Sequence, residues 1–460
     1  MKLTVNFTEK NNPDLLDIKD QLVKSGYLKS KGQKLYMVDE EQRLLHVLPK
    51  KGSLELIKEL KRHFMSPEDQ RLLTNSDWRN LIEELLTEPC IEVDEAELNH
   101  PEYVNVSNGL VDLKTGKLLT EDEYPKMYFD YVLDFSFIAD SNSPLHPENF
   151  INFLKNSRPE ESDESFDQWQ TALLEAIGYL LSGDPNVKKA VFFVGATRSG
   201  KSTLSELIAR AILPKQRAKH YSFALMAQNF STINAATARL NISDELDVTT
   251  KKGIELFKTL ASGGELSLPE KYGYDIDVLT NVKMLFCCNG FPSFRSADIS
   301  AIADRLLVID FQRTVPEGER TANPLASLLP EKDVIFTLAL KAYIEAKKGG
   351  FTTLPTAQKL LDMMTADHQS IKSFLDENAD LSDANAKISA KRLYAAYIAY
   401  CDVNQLSAAT KREFKAFILA NYPNVEYKKI RDQRINSVSS VHGYEGLSLT
   451  EGDNNEKNIR

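Results

Sequence analysis

A chain of 460 residues is long enough for two to four domains. Its 42% hydrophobic and 27% charged residues are ordinary for a folded globular protein and exclude a disordered or fibrous chain. A formal net charge of −10 excludes a protein whose whole surface coats nucleic acid, but not one that grips it through a few residues in a channel. The four cysteines, Cys90, Cys287, Cys288 and Cys401, form no C-x-x-C pair. That argues against structural zinc and a disulfide framework, and for a reducing compartment. The first residues carry no apolar core of signal-peptide length, and no apolar run is long enough to span a bilayer. The expectation is a cytoplasmic protein with no membrane partner.

Residues 1–100 predict a small accessory α+β module. Residues 34–38 and 44–48 read as short strands, and residues 54–64 and 78–86 carry helical spacing. His46 and His63 have no metal-ligand spacing. Residues 104–118 read as a hairpin turning at Asn108-Gly109 and Thr115-Gly116. Residues 140–165, rich in Ser, Pro, Asn and acids, read as a linker. A periodic helix over 166–181 is stopped by Gly183, Asp184 and Pro185.

The apolar run 190–194 leads into Gly195, Ala196, Thr197, Arg198, Ser199, Gly200, Lys201, Ser202 and Thr203, after which helical spacing begins. Strand, glycine-bounded loop and helix in this order fit the phosphate-binding pattern G-x-x-x-x-G-K-[ST]. The glycines let backbone N–H groups turn inward, and the positive end of the helix dipole completes an anion cradle. Lys201 would reach the β- and γ-phosphates, and the Ser202 hydroxyl would sit on Mg²⁺.

Strands are then predicted over 239–243, 282–288 and 305–311, with a helix over 249–261. Strands joined by helices imply a mostly parallel sheet with its ligand at the carboxyl ends, an α/β fold. Asp244 and Glu245 follow the first of these strands. Taken alone, such a pair is as readily a helix N-terminus as a site; after a phosphate loop it reads as a Mg²⁺ ligand and a base polarising water. Asn289 ends the next strand and, with Gly290, is also a strong turn signal. Pro269 and Gly273 bracket Lys271 and Tyr272, so these two could lie on a hairpin tip or an ordinary loop. Beyond residue 318 the pattern turns helical, over 333–347, 356–370, 373–378, 390–400 and 411–421, with strands near 425–429 and 443–449. That arrangement suggests a winged-helix module. Lys411, Arg412, Lys415, Lys428, Lys429, Arg431 and Arg434 cluster there as either a solvated face or a phosphate contact.

The ordered set Lys201-Ser202, Asp244-Glu245, Lys271-Tyr272, Asn289 and Arg305 resembles superfamily 3 helicases, the AAA+ motors of small DNA viruses, phages and plasmids. It is most similar to phage and plasmid primase-helicases of the poxvirus D-type class. These carry an N-G-h-h-D-L-x-T-G element, matched here from Asn108 to Gly116. The resemblance covers residue 100 to the end and leaves residues 1–100 outside. It implies a P-loop AAA+ motor that assembles as a hexameric ring and moves 3′ to 5′ on single-stranded DNA in replication of a mobile element. The setting would be the cytoplasm of a bacterial host, with ATP and Mg²⁺ as cofactors. It implies nucleotide contacts from Gly195 to Thr203, Mg²⁺ at Ser202 and Asp244, and catalytic roles for Glu245, Asn289 and the arginine finger Arg305. Lys271 and Tyr272 would grip DNA. The expected division is an accessory module over 1–100, a collar over 101–185 and the motor over 186–318. Beyond it would come a helical segment over 319–370, a winged-helix-like DNA-binding module over 371–450 and a disordered tail. Many relatives carry a primase upstream. The first 100 residues are too few for one, so the expectation is a helicase served by a separate primase or polymerase. The runner-up is an origin-binding initiator that uses ATP mainly to assemble on DNA.

Overall fold

Apolar side chains gather in three large cores and one small one among the described residues of this computed structural model. The structure describes residues 2–41, 43–49, 51–94, 97–124, 126–140, 145–158, 165–226, 229–244, 251–269, 275–289, 302–311, 313–404, 406, 408–430 and 441–450. The first core lies in the amino-terminal module. Helix α1 (Leu15–Lys24), absent from the sequence-based expectation, starts where the Asp14 carboxylate accepts from the Leu16 and Asp17 N–H groups. Strands β1 (Leu28–Lys31), β2 (Lys34–Asp39) and β3 (Leu44–Val47) form an antiparallel sheet. Helices α2 (Leu54–Phe64) and α3 (Asn75–Leu86) bury Leu60, Phe64 and Trp78 against Ile18 and Leu22.

The hairpin expected near residue 110 is present as β4 (Tyr103–Val106) and β5 (Gly109–Asp112), with β6 (Leu118–Leu119) beyond. On the far side of β4 lies β7 (Val132–Leu133). Residues 140–165 are not simply a linker. Glu148–Asn156 is a helix, α4, with Phe150 and Leu154 fully buried. Its amino end is capped from elsewhere in the chain, because the Glu331 carboxylate accepts from the N–H groups of Asn149 and Phe150. Helix α5 (Phe166–Ser182) ends at Gly183 in the left-handed conformation.

The second and largest core surrounds a five-stranded sheet. Its strands are β8 (Ala190–Gly195), β10 (Ala218–Lys219), β11 (Leu240–Ser243), β14 (Lys283–Cys288) and β15 (Leu306–Phe311), in the order β10-β11-β14-β8-β15. Every pairing is parallel. Apolar, buried strands such as Ala190–Gly195 fit a sheet covered on both faces. Between β8 and β10 come helix α6 (Lys201–Arg210) and β9 (Ile212–Leu213), which pairs with β7. Between β10 and β14 come α7 (Phe223–Met226), α8 (Asn229–Ala236), α9 (Lys251–Ser262) and the hairpin of β12 (Glu265–Pro269) with β13 (Asp275–Leu279).

After β15 follow α10 (Pro324–Leu328) and α11 (Lys332–Gly349), which packs on α5. The helices read separately over 356–370 and 373–378 are one helix, α12 (Pro355–Asn378), since no glycine or proline interrupts them. Its carboxyl end contributes Ile371, Phe374 and Leu375 to the third core. There β16 (Ala379–Asp380), β17 (Lys387–Ser389), α13 (Ala390–Asn404), α14 (Lys411–Asn421), β18 (Glu426–Ile430), β19 (Val441–Glu445) and β20 (Ser448–Leu449) follow. Strands β17, β19 and β18 make an antiparallel sheet in that order. Among the described residues, no helix is long and apolar enough to cross a membrane.

Candidate functional site

The loop between β8 and α6 is shaped by its glycines. Gly195 has φ +150°, and a Cβ there would lie 2.0 Å from the Phe311 carbonyl oxygen. Gly200 has φ +99°, and a Cβ there would lie 2.8 Å from both Phe153 Cζ and Ser157 Oγ of the α4 region. Only glycine fits either position without displacing its neighbours. The strap that follows β15 holds the loop from outside. The Val315 N–H donates to the Arg198 carbonyl at 3.1 Å, and Thr314 Oγ1 donates to the Thr197 carbonyl at 3.2 Å. Arg313 donates to the Asn156 carbonyl and pairs with Glu319, which ties the strap to α4. No local pattern announces this strap.

Lys201 is only 5% exposed. Its ammonium donates to the carbonyls of Gly195 and Ala196 at 2.6 Å each, and to Ser199 Oγ at 3.2 Å. Burial pulls its pKa below the usual lysine range, with the nearby Cys287 and Cys288 thiols opposing. Among the described residues it has no carboxylate partner. A buried cation held only by neutral oxygens, in a cradle that a Cβ would fill, is a donor set suited to an anion such as phosphate. Ser202, in the first turn of α6, is exposed.

The strand order brings three expected site positions to one edge. Asp244 follows β11 and Asn289 follows β14; both are exposed. Strand β14 lies between β11 and β8, and Ser243 pairs with Phe286 while Cys288 pairs with Val194. Asp244, Asn289 and the loop that carries Lys201 therefore leave adjacent strands at their carboxyl ends. The buried Cys287 thiol between them feels both flanking charges. Burial pushes it up to about 12, a hydrogen bond with Ser205 opposes, Asp244 adds to the rise and Lys201 counters it. Among the described residues, no group of three or more His, Cys, Asp or Glu could hold a metal ion. The oxygens on offer are the Ser202 hydroxyl and the Asp244 carboxylate, a sparse hard-donor set of the kind Mg²⁺ accepts when phosphates and water complete it.

Arg305 is not at this edge. It precedes β15, and its carbonyl accepts from the Ala190 N–H at 2.7 Å, so it lies at the amino end of the sheet. The length of a six-residue strand, about 20 Å, separates it from the loop of its own chain. Its Nε donates to Ser262 Oγ at 3.1 Å. The arms of the hairpin expected around residue 271 are present, with Pro269 paired to Asp275. Lys271 and Tyr272 at its turn lie outside the described residues, as do Glu245, Arg431 and Arg434.

Beside the loop is a cavity of about 370 Å³. Asn152, Phe153 and Asn156 of α4 form one wall, Arg198 and Thr203 another, and Arg320 of the strap a third. A pocket of this size suits a nucleoside-sized ligand. Neither α4 nor the strap was singled out from the sequence as part of a site.

Two family models match parts of the chain. One, described as D5 N terminal like, matches residues 23–175, so the likeness reaches into the first hundred residues that the sequence reading left outside. The other, described as a family of unknown function, DUF5906, matches residues 193–305, which run from β8 to Arg305. No curated protein matches the sequence significantly. Among solved structures, the A-form apo structure of the NrS-1 C-terminal region is similar at 12% identity and a TM-score of 0.46, over 93% of this chain and 97% of that one. A further apo structure of that region is similar at 13% identity and a TM-score of 0.41, over 94% and 98%.

Proposed function

We propose that this protein is an ATP-driven DNA helicase of superfamily 3 type, acting in replication of a phage, plasmid or related element. One observation carries the reading. Among the described residues, a buried lysine without a carboxylate partner sits in a glycine-shaped loop at the carboxyl edge of a parallel sheet, and the adjacent strand β14 and the next one, β11, lead into Asn289 and Asp244. A D5 N-terminal-like region directly upstream supports the replication setting.

On this reading the loop from Gly195 to Thr203 binds the phosphates of ATP, and the cavity walled by α4 and the strap takes its nucleoside. Lys201 exchanges its carbonyl partners for phosphate oxygens. Ser202 and Asp244 would hold Mg²⁺, which supplies charge neutralisation on the β- and γ-phosphates. Glu245 accepts the proton of the attacking water, and Asn289 orients that water. Arg305, a strand's length from its own loop, serves the site of an adjacent subunit. That requires a ring, which the reading takes as a hexamer. Lys271 and Tyr272 on the β12–β13 turn track a single strand through that ring, and the module beyond residue 371 adds a further DNA contact. Phosphate release from ATP by the full chain tests the reading. Mg²⁺ dependence and stimulation by single-stranded DNA are expected; a rate indifferent to both would overturn it.

A further inference from the structure

The module built on the third core has a cavity that the motor does not use. It holds about 360 Å³ between α13, α14 and the β18–β19 pair. Two features of its wall act together. The first is aromatic. Tyr427 of β18 and His442 of β19 stack at 5.6 Å between ring centroids and 18° between planes, and Tyr394 of α13 lines the same cavity. The second is cationic. Lys415 lies 3.4 Å from the centre of the Tyr427 ring, Lys411 lies 5.4 Å from that of Tyr394, and Lys391 stands at the rim. No carboxylate among the described residues lies within ion-pair distance of these three lysines. Lys428, by contrast, is neutralised by Glu426 and Glu445 and is not part of the wall. In a chain of net charge −10, three cations with no carboxylate partner among the described residues, set around aromatic rings, form a local anion site with faces for a flat ring.

We propose that this pocket holds one unstacked nucleotide of a single nucleic-acid strand, with its phosphates against Lys391 and Lys411 and its base against the Tyr427–His442 stack. A duplex would leave the aromatic wall idle, because its bases are already paired and stacked and only its phosphates reach out. The pocket shares no residue with the loop at 195–203, so its test and that of the motor are separable.

The probe is a short oligonucleotide carrying 5-iodouracil, irradiated with the full-length protein in the absence of ATP and mapped by mass spectrometry. Adducts are expected on Tyr394, Tyr427 or His442. They should be suppressed by unlabelled single strand, but not by the same strand in duplex or by free thymidine monophosphate at equal nucleotide concentration. The double variant Lys391→Glu/Lys411→Glu alters two exposed side chains. It should keep the melting temperature and lower the adduct yield about tenfold. It should also flatten the salt dependence of that yield by about 1.4 in log–log slope, at about 0.7 per single-strand phosphate contact. His442→Ala should lower the yield while leaving the salt slope unchanged. Adducts confined to other parts of the chain, equal competition by duplex or free nucleotide, or an unchanged yield in both variants would each overturn the proposal.

Discussion

Replacing Lys201 with alanine separates a phosphate-binding lysine from a structural one. Among the described residues the ammonium makes three hydrogen bonds, all to groups of its own loop, and burial already works against its charge. Its removal therefore deletes contacts to neutral oxygens but also deletes a desolvated cation, two effects of opposite sign. The net change in stability should fall within about 1 kcal/mol, or about 4 °C in melting temperature for a domain of this size. Catalysis has no such compensation. A unit charge about 4 Å from a phosphate oxygen at an effective dielectric of about 20 is worth about 4 kcal/mol. At about 1.36 kcal/mol per decade, that is a fall of about a thousandfold in turnover. Phosphate release measured beside a thermal melt reads both numbers on one preparation. A folded variant keeping more than about a tenth of the wild-type rate would refute the role of Lys201. A melt lowered by far more than about 4 °C would show that the lysine holds the loop itself.

Arg305→Ala should bind ATP and not cleave it, and mixing it with Lys201→Ala protein should restore part of the activity, because each subunit supplies what the other lacks; no rescue at any ratio would count against a shared site. Lys271→Ala should keep DNA-independent hydrolysis and ring assembly but lose single-strand binding, and a variant that binds the strand normally would remove the β12–β13 turn from the DNA path. Lys283, at the start of β14, is pushed by burial down to about 7, with Asp184 opposing and Arg239 adding. An unfolded lysine titrates near 10.5, so between about 7 and 10.5 the unfolded chain holds the extra proton and this group makes stability rise with pH. Denaturant melts at pH 7 and 9 should show that rise in the wild type and lose it in Lys283→Met; an equal rise in both would place its source elsewhere.

Local chemistry explains what the sequence disclosed. The glycine-shaped turn between β8 and α6 was legible because its glycines, lysine and serine sit at fixed offsets between an apolar run and a helical period. The hairpin at Asn108-Gly109 was legible because that dipeptide favours a tight turn. Helix α1 carries a readable signal too, with Asp14 as a capping residue ahead of a periodic stretch. Helix α4 is different. It lies in a stretch rich in linker residues, and Glu331, far along the chain, caps its amino end. No local pattern announces such a cap. The strap at 313–315 and the cavity it walls are likewise products of tertiary packing. The strand order β10-β11-β14-β8-β15, which sets Asp244 and Asn289 beside the loop, depends on crossovers that local periodicity does not encode. Buried Lys283 gave no sign, since a lysine at the head of an apolar strand reads as a surface residue.

Strand displacement on a forked DNA duplex tests the central claim most directly. With ATP and Mg²⁺, the full chain should release the strand from a fork that offers a single-stranded 3′ tail, in parallel with phosphate release. It should fail on the same fork without ATP, or when Lys201→Ala replaces the wild type. ATP hydrolysis stimulated by DNA with no strand released from any fork would contradict a helicase and leave an ATPase that works by assembling on DNA.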